Sequence, residues 1–153
     1  MKLLTQVLFL LIVSARGVCA SDGGITHRLG VSGGFPQLVA ITYQVTTSRH
    51  LSFEACAGCI PFYYTTAAFR IIAGDSSNGF HPRYFAGTAI VDDVYSADPN
   101  AVTSYLWAGA GLGYAFDRFR LFADLGYIGG GDRDKGLGYS TGLALNGGFL
   151  FDL

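Results

Sequence analysis

Taken two residues at a time, this sequence separates its charges from its apolar side chains. Between Phe119 and Ile128, Leu121, Ala123, Leu125 and Tyr127 alternate with Arg120, Phe122, Asp124 and Gly126. Successive side chains on a β-strand point to opposite faces, so a run of this kind is a strand with one uncharged face. The same texture recurs down the chain. Val39, Ile41, Tyr43 and Val45 stand opposite Leu38, Ala40, Thr42 and Gln44, and Leu51, Phe53 and Ala55 stand opposite His50, Ser52 and Glu54. Tyr63, Thr65, Ala67, Phe69 and Ile71 stand opposite Tyr64, Thr66, Ala68 and Arg70. Leu143, Leu145, Phe149, Phe151 and Leu153 stand opposite Ser140, Gly142, Ala144, Asn146, Gly148 and Asp152.

Turn-like clusters divide the sequence into eight such runs: Thr26–Phe35, Gln37–Val45, His50–Cys56, Phe62–Ala73, Phe80–Val91, Ser104–Asp117, Phe119–Ile128 and Leu137–Leu153. No segment carries the i, i+3, i+4 spacing of an amphipathic helix. The reading is all-β, an eight-stranded antiparallel up-and-down barrel.

Which face points outward decides the class of protein. A soluble lipocalin-type carrier turns its apolar face inward, and a membrane barrel does the reverse. Only 14% of the residues are charged, against about 25% in soluble domains, which is too few for a solvated exterior. The charge-bearing face is crowded with small residues such as Gly109, Gly111 and Gly113, as a narrow eight-stranded interior requires. Tyr43, Tyr63, Tyr127 and Tyr139 sit near run ends on the apolar face, where interfacial aromatics are expected. These features favour the transmembrane orientation. Arg28, Glu54, Arg70, Arg83, Arg120 and Asp124 then form a lumenal network that, with Trp107, fills the interior and leaves no wide channel.

Residues 1–20 read as a secretory signal peptide: Met1-Lys2, an apolar stretch from Leu3 to Val13, then Val18 and Ala20 at −3 and −1 of a cleavage site. The stretch of about 11 residues is too short for a spanning helix, which needs roughly 20. Residues 21–153 form the barrel domain. Cleavage removes Lys2 and Arg16, leaving 8 of the 10 basic residues against 11 acidic ones, a net charge of −3. That balance argues against a nucleic-acid partner.

The pattern resembles the small eight-stranded outer-membrane β-barrels of diderm bacteria, the OmpA/OmpX-like class. The most specific stretch is the end, Leu143-Ala144-Leu145-Asn146-Gly147-Gly148-Phe149-Leu150-Phe151-Asp152-Leu153. The resemblance implies that Phe149, Phe151 and Leu153 act as the signal read by the barrel-assembly machinery, with Leu153 in place of the family's usual terminal Phe. It also implies a location in the bacterial outer membrane, lipid and lipopolysaccharide as surroundings, both termini in the periplasm, and external first, third, fifth and seventh connections. The two longest connections, Asp92–Thr103 and Gly129–Gly136, have that parity.

Few residues suggest chemistry. His50, Ser52 and Glu54 share a face and resemble the His-x-Ser pair with a Glu partner of some lipid A deacylases, but they stand early in the barrel on its charged face. An interior hydrogen-bond network is the simpler reading. Cys56 and Cys59, placed at an external hairpin, suggest a structural disulfide, with free thiols as the alternative; as a zinc site the pair is two ligands short. Gly138-Tyr139-Ser140-Thr141-Gly142 lacks the strand–turn–helix setting of a nucleophile elbow. No metal or cofactor site is read. The expected role is non-enzymatic, in envelope integrity or surface interaction. The alternatives are a narrow conduit for small or hydrophobic solutes, a lipid A-modifying enzyme, and a soluble periplasmic carrier.

Overall fold

Each alternating run becomes one strand of a closed cylinder. A computed structural model of the chain describes residues 24–36, 38–48, 50–60, 64–74, 79–93, 102–130 and 140–153. The signal-peptide reading of residues 1–20, Tyr63, Tyr139 and most of the two long connections lie outside the described residues. The strands are β1 (Thr26–Gly34), β2 (Leu38–Ser48), β3 (Leu51–Ile60), β4 (Tyr64–Ala73), β5 (Gly79–Asp93), β6 (Val102–Phe116), β7 (Phe119–Gly130) and β8 (Ser140–Asp152). All neighbours pair antiparallel in chain order, and β8 returns to β1. Closure removes the unpaired edges that an open sheet would present.

The strand ends at Gly34, Leu38, Ile60, Tyr64, Asp93, Val102, Gly130 and Ser140 lie at one end, called here the loop end. Those at Thr26, Ser48, Leu51, Ala73, Gly79, Phe116, Phe119 and Asp152 lie at the other, the turn end. The turn between β6 and β7 holds only Asp117 and Arg118, and Asp117 adopts the left-handed conformation (φ 51°) that Asp tolerates better than most side chains.

Parity holds along most of each strand, with a register shift between Thr46 and Ser48 on β2 and a buried Ala57 between Cys56 and Gly58 on β3. On β7, Arg120, Phe122, Asp124, Gly126 and Ile128 face the lumen and the residues between them are exposed. Large lumenal side chains fill space that glycines on other strands leave. A Cβ on Gly126 would stand 2.8 Å from Cζ of Phe85, and one on Gly148 would stand 2.9 Å from Cζ of Phe122. Asp124 Oδ1 lies over Gly111 in the same way. Gly111, Gly126 and Gly148 are therefore sockets for side chains of neighbouring strands.

Strand boundaries account for two differences from the sequence reading. The β3–β4 ladder continues past Cys56 through Cys59↔Thr65 to Ile60↔Tyr64, so no hairpin begins at Ala57. Cys56 and Cys59 are three residues apart on one strand and face opposite ways: Cys56 is buried, Cys59 exposed, and both thiols are free. The expected disulfide does not form. His50 likewise precedes β3 and is exposed in the turn; it is not on the lumenal face with Ser52 and Glu54.

Candidate functional site

Two surfaces carry the chemistry of this barrel, and the same strands build both. The outer one is an apolar belt. On β5 from Phe80 to Ile90, on β6 from Leu106 to Phe116 and on β8 from Leu143 to Leu153, the outward face is uncharged over about eleven residues, the length a tilted transmembrane strand needs. Phe80, Leu106 and Leu143 are 79%, 71% and 77% exposed, values no folded protein in water sustains around its whole circumference. Among the described strand residues, the only outward Asp, Glu, Lys or Arg is Asp92, at the loop end of β5. Aromatic rings collect at the turn end: Phe80 with Tyr114 (4.5 Å between centroids) and Phe119 with Phe151 (5.2 Å). Tyr43 also faces outward, and its hydroxyl lies 2.6 Å from Nδ1 of His27. Tyr127 is exposed nearer the loop end. Phe149, Phe151 and Leu153 all lie on the belt.

The inner surface is a charge network. Arg70 and Glu54, paired across β4 and β3, are wholly buried. Arg70 Nε donates to Glu54 Oε1 at 2.8 Å, Nη2 donates to the same oxygen, and Nη1 reaches across the lumen to Asp124 Oδ2 at 2.7 Å. The rings of Trp107, Phe85 and Phe122 surround the Arg70 guanidinium at 4.9, 5.4 and 5.5 Å. Arg83 lies 4.3 Å above Phe122, with Nη2 at 3.7 Å from Glu54 Oε2 and 3.8 Å from Asp124 Oδ2. Two guanidiniums therefore face two carboxylates. That balance and the surrounding rings keep the four charges inside, since an unpaired buried ion is strongly unfavourable.

A second cluster sits at the turn end. Arg28 Nε donates to Asp152 Oδ1 at 2.8 Å, and its Nη1 donates to Thr46 Oγ1 at 2.8 Å. Arg120 Nε approaches Asp152 at 3.6 Å. Ser52 is fully buried, with its hydroxyl 2.8 Å from that of Thr46. A smaller relay joins Ser32 to Thr42 at 2.6 Å, Thr42 to the Cys56 sulfur at 3.4 Å, and the Cys56 thiol to Glu54 Oε1 at 3.3 Å. All six residues expected in the lumen are inside. Of the three catalytic candidates, Ser52 and Glu54 are buried in hydrogen-bonded positions and His50 is exposed in the turn.

The fold is that of a known barrel. The N-terminal β-barrel domain of Pseudomonas aeruginosa OprF superposes with a TM-score of 0.59, covering 88% of this chain and 100% of that one at 14% identity. At that identity the likeness speaks to architecture: an eight-stranded antiparallel up-and-down cylinder. No family model matches the sequence, and no curated protein does.

Ile72, Phe85 and Ile128, not singled out by the sequence reading, form an apolar cluster with Trp107 and Ala144, with Tyr105 packed against it, and Leu150 is also buried. Their signal was parity: Ile72 is two residues past Arg70, Phe85 two past Arg83, and Leu150 two before Asp152. On β6, β7 and β8, Tyr105, Trp107, Ile128 and Ala144 lie nearer the loop end than the row Gly111↔Asp124↔Asn146. Ala40, Ala68 and Ala89 form a second buried cluster with Cys56. Phe35, in the first connection, meets Tyr105 edge-on at 5.8 Å. The lumen thus mixes its charge network with apolar side chains along its length: Ser32, Thr66, Thr103 and Asn146 are also buried nearer the loops, and Ile72, Phe122 and Leu150 nearer the turns.

Proposed function

We propose that this chain is a small outer-membrane barrel, exported behind a signal peptide at residues 1–20, whose closed interior neither transports nor catalyses. Its role is structural or interactive: it stabilises the envelope or presents the connections at its loop end. The observation that carries this reading is the inverted polarity of the strands, with an uncharged belt outside and mutually neutralised charges within. Water would not tolerate that belt, and an acyl environment needs it.

The orientation assigns partners by chemistry. Lipid chains, including those of lipopolysaccharide, cover Leu106, Leu125 and Leu143. The assembly machinery of the outer membrane reads Phe149, Phe151 and Leu153 during insertion. A conduit is disfavoured because space beside Gly126, Gly148 and Gly111 is filled by Phe85, Phe122 and Asp124 and because Arg70, Glu54 and Trp107 are buried in the lumen. A deacylase is disfavoured because Ser52 and Glu54 are buried among Thr46 and Arg70.

Membrane fractionation combined with heat-modifiable gel migration tests the reading. The expected result is extraction only by detergent, with a mobility change on boiling. Release without detergent would replace the reading with a soluble carrier. Steady conductance in planar bilayers would replace it with a conduit, and fatty-acid release from lipid A with an enzyme.

A further inference from the structure

Of the eight strand pairings, the one that closes the cylinder carries the least information about its own register. Every other pair is joined by a connection, whose length restricts the alignment. β1 and β8 are the two ends of the sheet and share none. They meet over seven partner pairs, from Arg28↔Asp152 to Gly34↔Asn146, whereas β5 and β6 meet over fourteen. Gly30, Gly33, Gly34, Gly147 and Gly148 all fall in this seam, and glycine-rich strands specify register weakly. Its outward pairs, Leu29↔Phe151 and Val31↔Phe149, are apolar on both sides. A slip by two residues keeps every side chain on its own face, so hydrophobicity does not forbid it.

One contact removes that degeneracy. Arg28, buried in the lumen, stands directly opposite Asp152 and bonds it at 2.8 Å. The same guanidinium is held on its other side by Thr46 of β2. The carboxylate also faces Arg120 of β7 at 3.6 Å, and the Asp152 backbone N–H donates to the Arg118 carbonyl at 2.9 Å. Asp152 is therefore fixed from both of its neighbouring strands. Sliding β8 so that Leu150 stands opposite Arg28 would take the carboxylate away from that buried guanidinium.

We propose that the Arg28–Asp152 ion pair is the registration lock of the barrel, selecting one alignment of β1 with β8 among those that preserve the faces. It acts on the shear of the cylinder.

Disulfide trapping reads the register directly. In a full chain with Cys19, Cys56 and Cys59 replaced by serine and folded in detergent micelles, Val31→Cys with Phe149→Cys reports the observed alignment. Val31→Cys with Phe151→Cys, or with Gly147→Cys, reports a slip of two. Directly opposed residues fall within disulfide reach. The parent is expected to give the 31–149 link alone. Arg28→Met with Asp152→Asn removes both charges together and leaves neither member of the pair as a lone ion. In that background the barrel is expected to keep its heat-modifiable migration. The 31–149 yield should fall about fivefold or more as a slipped link appears. Exclusive 31–149 linkage in the double variant would overturn the proposal, because interior packing would then set the register unaided. A double variant that no longer folds would overturn it too, since the pair would then hold up the fold instead of choosing the alignment.

Discussion

The two faces of β7 share one backbone and obey opposite rules. Outside, Leu121, Ala123, Leu125 and Tyr127 are exposed on an uncharged face; inside, Arg120 and Asp124 are buried, Asp124 against Arg70. In a soluble protein the core is the apolar side. Here the core holds the charges, and Arg70, Arg83, Glu54 and Asp124 depend on one another. The comparison teaches that a substitution is judged by its face before its chemistry. An arginine is required at 70 and forbidden at 125.

Breaking the network is the strongest test of that contrast. Arg70→Met removes the cation shared by Glu54 and Asp124 and leaves two buried carboxylates with Arg83 alone. Urea unfolding in micelles is expected to show a loss of about 3–5 kcal/mol. Charging the opposite face comes next. Leu125→Arg, midway along the belt, should cost about 2–4 kcal/mol, and Phe119→Arg, at its turn-end edge, only about 0–1 kcal/mol. Equal losses at the two positions would mean that the belt does not lie across a bilayer. Filling a socket is milder: Gly148→Ala crowds Phe122 and the backbone of β1 and should destabilise by about 1–3 kcal/mol. Ser52→Ala, which removes one neutral hydrogen bond to Thr46, should cost about 0.5–1.5 kcal/mol. The thiols supply a covalent check. Because Cys56 and Cys59 face opposite ways, the mass of the folded chain should be the same with and without reductant.

The network also leaves work for solvent. Glu54 Oε2, Asp124 Oδ1 and both amide atoms of Asn146 are buried with no hydrogen-bond partner among the described residues. Buried polar atoms of this kind are usually served by ordered water.

Much of this was legible in the sequence because a period of two leaves little freedom. Once Arg70 was inside, Ile71 had to be outside, and Phe69 with it. The eight strands, the closed topology and the burial of Arg28, Glu54, Arg70, Arg83, Arg120 and Asp124 follow from that alternation. What resisted were strand ends and apolar residues with inward parity. Ala57, Gly58 and Cys59 have little strand preference of their own, and only the ladder to β4 keeps them extended, so the cysteines were misplaced at a hairpin. His50 was drawn into β3 by its spacing from Ser52 and Glu54, although the chain is still turning there. Phe85, Ile72 and Leu150 look like belt residues by composition; their place is set by parity and by the glycines opposite them. The pairing of Arg28 with Asp152 joins the two ends of the barrel, a separation across which local pattern carries no information.

Orientation is the claim on which the rest stands, and spin labels measure it most directly. Labels at Val39, Leu121 and Leu145 in lipid-reconstituted barrel should collide readily with oxygen and poorly with a water-soluble nickel chelate, as a nitroxide among acyl chains does. Labels immobilised in a dry protein core at those three positions, with Arg70 and Arg120 reachable from buffer, would contradict it.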